Sequence, residues 1–100
     1  MLFLVISEPR AERPSEARAS RLRYWEWLDA RLADGIVRQA YPKIGRGMVA
    51  IFDVPDHETL SGHLSDWAEM VPAQFALYPL LSPDSVRRQL GVPGSYTNRP

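Results

Sequence analysis

Residues 48–55, MVAIFDVP, join two elements of this 100-residue chain. Met48 to Val54 is apolar at nearly every position, and such a run is typical of a strand that is buried on both faces. Pro55 ends the run, and Asp56 after it is a suitable helix N-cap. The stretch therefore predicts a central strand followed by a helix that extends to about Met70.

The same pattern occurs at the start of the sequence. Residues 1–7, MLFLVIS, form a second continuous apolar run, which residues 8–14, EPRAERP, interrupt. Ser15 is a suitable N-cap, and the residues from there to Asp34 include no Gly or Pro. Gly35 then supplies a C-cap. A second central strand followed by a helix of about 19 residues is expected.

Two further strands carry prolines, which lack an N–H group and therefore belong at the edge of a sheet. They are residues 36–41, which Pro42 follows, and residues 73–81, which contain Pro79. The glycines of residues 43–47, KIGRG, indicate a hairpin loop before the central strand. A short helix over residues 85–90 follows the last strand.

The predicted order is β-α-β-β-α-β, which gives an α+β, ferredoxin-like fold with a four-stranded antiparallel sheet and two helices on one face. One domain should occupy residues 1–90, and residues 91–100 have the composition of a loosely ordered tail. Because the central strands carry apolar side chains on both faces, and the helices cover only one, a second copy is expected on the other. The pattern thus predicts a homodimer through the sheet faces.

Composition excludes several functional classes. Twelve Lys and Arg balance twelve Asp and Glu, which disfavours a nucleic-acid partner. The absence of cysteine excludes disulfides and thiolate chemistry. No window approaches the roughly 18 apolar residues of a membrane span, and the short apolar start does not resemble a signal peptide. A cytoplasmic protein is expected, without a membrane partner.

The first predicted helix contains the candidate acid Glu26. Leu22, Trp25, Leu28 and Leu32 form one stripe that should face the sheet, with Trp25 in the core. Trp27 points away from that stripe and should be exposed, covered by the C-terminal segment or in a subunit contact. Glu26 flanks the stripe, so it either borders a cleft as a proton-transfer group or pairs with a neighbouring arginine at the surface.

The second predicted helix offers His63, which flanks its apolar stripe and is either an acid/base group or a half-buried structural histidine. His57 and His63 should lie on different sides of this helix, so they are not expected to share a metal ion. No metal site is expected. Four side chains are expected either to line a cleft and hold a substrate carboxylate or to be ordinary edge-strand residues: Arg38, Tyr41, Arg46 and Tyr78. Aromatic walls of a substrate pocket would come from Trp25, Trp67 and Tyr78.

Several short motifs together resemble muconolactone delta-isomerase and its relatives among the dimeric α+β barrel proteins. They are MLFLV at residues 1–5, the helix ending at Asp34-Gly35, Ile36-Val37-Arg38, and FDVP at residues 52–55 with Leu60 and Leu64 after it. The resemblance implies ferredoxin-like subunits that pair through their sheets and allows higher assemblies of dimers. It also implies a proton shift next to a carbonyl group, with no metal or organic cofactor.

Three hypotheses follow. The first is a cofactor-independent isomerase or cyclase acting on a small unsaturated lactone, ring acid or polyketide-like molecule, with Glu26 or His63 transferring the proton. The second is a cofactor-free monooxygenase of the same superfamily, acting on a polycyclic phenol between aromatic walls. The third is a non-catalytic dimeric module for binding or assembly.

Overall fold

A computed structural model describes residues 1–91. The chain forms seven elements in order: β1 (Leu2–Pro9), α1 (Pro14–Ala33), β2 (Val37–Pro42), β3 (Met48–Asp53), α2 (His57–Met70), β4 (Ala73–Leu80) and α3 (Pro83–Leu90). Within the described part of the chain this is the expected β-α-β-β-α-β order, followed by the short last helix that the sequence also predicts, here beginning two residues earlier at Pro83. Most of the predicted tail, residues 92–100, lies outside the described residues.

The four strands form one antiparallel sheet in the order β2-β3-β1-β4. The two apolar runs are therefore the central strands, and the two strands with prolines are at the edges, as the sequence predicts. Pro42 ends β2, and Pro79 pairs with Phe3 from the edge strand β4. The fold is the predicted ferredoxin-like α+β arrangement.

The core lies between the sheet and the helices α1 and α2. Alternate residues of β1 and β3 point into it, and Val5 and Phe52 are fully buried there. Trp67 of α2 is 1% exposed and packs on Phe52 and Phe75. The alternating residues of β1 and β3 that point to the opposite, outer face of the sheet are only half-buried.

The buried side of α1 differs from the prediction. Ala17, Tyr24 and Leu28 are buried, whereas Trp25 is 39% exposed and Leu22 is 54% exposed. The helix is therefore rotated by roughly a quarter turn from the expected orientation. Apolar and charged residues alternate around most of α1, so the apolar pattern alone does not define which side packs.

The rotation exchanges the predicted roles of two tryptophans. Trp25 is not a core residue but lies at the surface beside the cavity described below. Trp27, expected away from the core, is half-buried and packs against it, 6.1 Å from Trp67 between ring centroids.

Helix ends follow local chemistry. Asp56 caps α2 by accepting a hydrogen bond from the Thr59 N–H at 2.7 Å, as predicted. Helix α1 begins earlier than predicted, because Pro14 occupies its first turn and Arg13, not Ser15, is the N-cap residue. Among residues 1–91, no helix combines the length and apolarity that crossing a membrane requires.

Candidate functional site

A cavity of about 140 Å³ opens between α1, the loop that joins β2 to β3, and the adjoining ends of β1 and α2. We call it the helix–hairpin cavity. It borders the core on the helix side of the sheet, where Ser7 of β1 and Met48 of β3 form part of its lining. The Ser7 hydroxyl oxygen accepts a hydrogen bond from the Met48 N–H at 2.8 Å, which joins the two central strands at this end.

Basic side chains surround this cavity. Arg21 comes from α1, and Lys43 and Arg46 come from the hairpin loop. Arg46 Nη1 donates a hydrogen bond to the backbone carbonyl of Arg10 at 2.7 Å. Lys43 Nζ lies 2.5 Å from a carboxylate oxygen of Glu8. The two hairpin cations are therefore held in place, and among the described residues Arg21 has no ion-pair partner.

Local backbone geometry brings the hairpin loop onto β1. The Lys43 N–H donates to the Gly47 carbonyl at 2.9 Å and closes the loop. Gly47 has φ +106°, and a Cβ atom there would collide with the Ser7 carbonyl oxygen. Only glycine accommodates both the positive φ and this close approach without a shift of the loop. The sequence thus places Lys43 and Arg46 beside the cavity through a tight, glycine-dependent loop.

Aromatic rings form the walls. Tyr24 and Trp25 of α1 and Trp67 of α2 line the cavity. The Tyr24 ring lies 4.9 Å from that of Trp67 and 6.2 Å from that of Trp25. Flat apolar walls with cationic groups around them are suited to a small planar anion, since the rings exclude water and the cations offset the charge of the ligand.

One residue of the lining, Tyr24, has a buried polar atom without a described partner. Tyr24 is 4% exposed, and its hydroxyl is buried without a hydrogen-bond partner among the described residues. Burial raises the pKa of Tyr24 above its usual range, so the side chain stays a neutral phenol at physiological pH. Its O–H is therefore a hydrogen-bond donor that none of residues 1–91 uses.

No family model matches the chain, and a search of curated proteins gives no match either.

Three of the sequence-predicted ligand-binding residues do line the helix–hairpin cavity: Arg46, Trp25 and Trp67. The other three lie elsewhere. Tyr41 and Tyr78 are opposite Val49 and Leu4 on the outer face of the sheet and are 61% and 52% exposed. Arg38 pairs with Asp53, with Nη2 2.5 Å from Oδ2. The sheet therefore separates these three side chains from the cavity.

The two predicted proton-transfer residues are also outside the cavity lining. Glu26 is exposed on the surface of α1. His63 is half-buried on α2, with its ring 6.4 Å from Trp27 and 6.3 Å from Phe52. Its Nδ1 atom is buried and unpaired among the described residues, as is Nε1 of Trp27. The structure does not bring Glu26 and His63 together at one site.

Beside the first cavity is a second one of about 180 Å³ near the start of α1 and the end of α2. Its charged lining is mixed, with Arg10, Glu12 and Glu69 besides Arg46, which borders both cavities. Arg10 and Glu12 already bond to each other at 2.9 Å. Within residues 1–91, no three His, Asp or Glu side chains gather in a way that could hold a metal ion.

Sequence reasoning missed Arg21, Tyr24 and Lys43 as cavity residues. A signal for Tyr24 does exist, because Ala17, Tyr24 and Leu28 are seven and four residues apart and so share one side of a helix. Arg21 lies between Ala17 and Tyr24 on that side. The leucine-rich stripe was the stronger apolar signal, and it concealed this alternative.

Proposed function

We propose that the protein is a cofactor-independent isomerase or cyclase that binds a small unsaturated organic anion in the helix–hairpin cavity. The observation that carries the proposal is the combination of three cationic side chains with aromatic walls around one cavity. The resemblance to muconolactone delta-isomerase supplies the reaction class, a proton shift next to a carbonyl group.

The cavity charges suit such a reaction. A substrate carboxylate would accept charge-assisted hydrogen bonds from Arg21 and Arg46, which are stronger than neutral ones. Removal of a proton next to a carbonyl group produces an enolate, and fixed cations stabilise that developing charge. The restraint of Arg46 by the Arg10 carbonyl supports this role, because a donor that is already oriented needs little reorganisation during the reaction.

The proton acceptor has to approach from the edge of the cavity. Among the described residues, no carboxylate or imidazole belongs to its lining. The Glu8 carboxylate pairs with the lining residue Lys43, but Glu8 itself is exposed and, like Glu26 and His63, lies outside the lining.

The proposed isomerase activity is tested with muconolactone as the probe. The change in conjugation of the probe is followed through ultraviolet absorbance. We expect turnover by the unmodified protein and a loss of about tenfold or more in kcat/KM for Arg21→Gln, the scale of one charge-assisted hydrogen bond. Arg18→Gln is the matched control, because Arg18 is exposed on the same helix outside the cavity. Equal losses in both variants would contradict the proposal.

A second candidate function is a non-catalytic binding module for the same anions. The absence of a carboxylate or imidazole from the described cavity lining favours it. The same probe separates the two candidates. Calorimetric binding of muconolactone that Arg21→Gln weakens, without any change in absorbance over time, would support the module.

We also propose that the protein forms a homodimer through the outer face of the sheet. Leu4 and Ile6 of β1 and Val49 and Ile51 of β3 share this face and are half-buried, with exposed tyrosines on the edge strands beside them. A second sheet packed face to face would remove this apolar surface from water. The cavity opens on the opposite side of the sheet, so it stays accessible in such a dimer.

A further inference from the structure

The helix–hairpin cavity has more positive charge around it than the described residues neutralise. Lys43 forms an ion pair with the carboxylate of Glu8. Arg21 and Arg46 have no ion-pair partner among residues 1–91, and no carboxylate belongs to the described lining. Glu69 borders the second cavity, as Arg46 does, but the two side chains form no ion pair. Two cations at one cavity are therefore left for a ligand.

We propose that this cavity binds dianions, with one carboxylate at Arg21 and a second negatively charged oxygen at Arg46. Dicarboxylates built on a single unsaturated or aromatic ring are the ligand class. The proposal rests on the ligand site of the proposed function, and it adds the charge of the ligand and a separate role for each arginine.

The two arginines differ in how they are held. Among the described residues, no hydrogen bond or ion pair restrains Arg21, which is exposed on α1. Arg46 is half-buried in the hairpin loop, and its Nη1 atom donates to the Arg10 carbonyl. A fixed, partly buried cation stabilises a nearby negative charge more than an exposed one does, because water screens it less. Arg46 is therefore the stronger of the two positions for a negative charge.

The enolate of the proposed isomerase reaction has the same two charges, one on its carboxylate and one on the oxygen of the former carbonyl group. With the carboxylate at Arg21, the enolate oxygen lies at Arg46, where the stabilisation is stronger. A dicarboxylate carries both charges permanently and therefore imitates this state.

The cavity size limits the ligand to one ring. Its volume of about 140 Å³ is close to that of an engineered protein cavity of about 150 Å³ that holds benzene. Trp25 lines the cavity and is 39% exposed, so its indole is accessible to the ring of a ligand. A polycyclic phenol exceeds this space, which disfavours the monooxygenase hypothesis.

The test compares terephthalate with 4-acetylbenzoate by calorimetric titration at low ionic strength and about pH 7, where carboxylates are ionised. The two molecules have nearly the same shape, and both have an oxygen acceptor at each end, but terephthalate carries one negative charge more. The unmodified protein should bind terephthalate with a Kd about tenfold lower, because a hydrogen bond between two charged groups is stronger than one to a neutral carbonyl.

Each arginine should be required for this preference. In Arg21→Gln and in Arg46→Gln the ratio of the two Kd values should fall below about threefold, since only one unpaired cation remains. Arg46→Lys keeps the charge and should keep most of the preference. Arg18→Gln is the matched control, because Arg18 is exposed on α1 outside the cavity. Circular dichroism of each variant establishes that it is folded.

The outcomes separate this inference from the proposed function. Equal Kd values for the two ligands in the unmodified protein, or a preference that survives Arg46→Gln, overturn the dianion assignment and leave a site for one carboxylate. Failure of both ligands to bind overturns this assignment and the proposed ligand site together. A preference that Arg18→Gln also abolishes reflects the overall charge of the protein and likewise overturns the assignment. A preference that is lost in both cavity variants and kept in Arg18→Gln supports it.

Discussion

The rings of Tyr24 and Trp67 lie 4.9 Å apart at 38° and join α1 to α2 next to the helix–hairpin cavity. This contact gives Tyr24 two roles that its sequence position does not reveal. Its ring belongs to the hydrophobic core, and its hydroxyl is buried there without a hydrogen-bond partner among residues 1–91. The two roles can be separated experimentally, because they affect stability in opposite directions.

Replacing Tyr24 by phenylalanine should stabilise the ligand-free protein. The change removes a buried hydroxyl that has no described partner and keeps the ring, so we expect the free energy of unfolding to rise by about 1 kcal/mol. Urea unfolding followed by circular dichroism measures this. Tyr41→Phe, at an exposed position, should change the value by less than about 0.5 kcal/mol. A marked destabilisation by Tyr24→Phe would indicate that the hydroxyl is already paired in the ligand-free protein.

The hairpin loop should tolerate alanine at one glycine but not at another. Gly45 and Gly47 both have positive φ, but a Cβ at Gly45 meets open space, whereas one at Gly47 collides with the Ser7 carbonyl oxygen. We expect Gly45→Ala to lower the free energy of unfolding by about 1 kcal/mol and Gly47→Ala by about 3 kcal/mol or more. Thermal or urea unfolding of the two variants gives the comparison, and equal losses would exclude the close approach of Gly47 to β1.

The outer face of the sheet should contain the dimer contact. Ile51 is half-buried at the centre of that face, opposite Leu4. A lysine there would place an unpaired charge in the proposed interface, so Ile51→Lys should convert the protein to a monomer. Sedimentation velocity measures the change. Leu22→Lys, on the exposed side of α1, should leave the dimer intact. An unmodified protein that sediments as a monomer at every concentration would exclude the dimer.

The pair formed by Arg38 and Asp53 should make stability depend on acid pH. The hydrogen bond from Arg38 lowers the pKa of Asp53 in the folded protein. The unfolded chain therefore binds more protons, so this stabilisation is present above the unfolded pKa of about 4 and is lost as pH falls through the lower folded value. Because the pair is at the surface, the effect should be below about 1 kcal/mol.

Urea unfolding of the unmodified protein and of Arg38→Gln, from about pH 6 to pH 2, tests this expectation. The variant should show the flatter dependence, and the two proteins should differ most at the upper end of that range. Arg18→Gln, whose arginine forms no described ion pair, controls for the loss of one positive charge. Parallel curves for all three proteins would show that the pair contributes nothing.

Candidate site residues were predicted less well than the fold, and α1 shows why. Leu22, Trp25, Leu28 and Leu32 share one side of the helix, yet the structure buries Ala17, Tyr24 and Leu28. An apolar stripe predicts orientation only when polar residues occupy the rest of the helix surface, and in α1 the two kinds alternate. The actual rotation of α1 brings Arg21 and Tyr24 to the cavity. The same rotation leaves Trp25 and Glu26 exposed.

The other site residues that were predicted wrongly lie on the face of the sheet opposite the cavity. The sequence prediction placed Arg38, Tyr41 and Tyr78 in one cleft with Arg46. In a strand, one residue of shift moves a side chain to the opposite face, and β2 has an irregularity between Val37 and Gln39. The sequence pattern carries no signal for such a shift, so the face of each side chain was undetermined.

By itself the sequence determined the strand order, because fully apolar runs require central positions and proline requires an edge, and both constraints act locally along the chain. It also determined the Asp56 cap, which depends on residues three apart. Only the tertiary structure decided which side of α1 packs and which residues surround the cavity. Those outcomes depend on how Tyr24, Trp67 and the hairpin loop fit against one another in space, and such complementarity between distant segments has no signature in residue order.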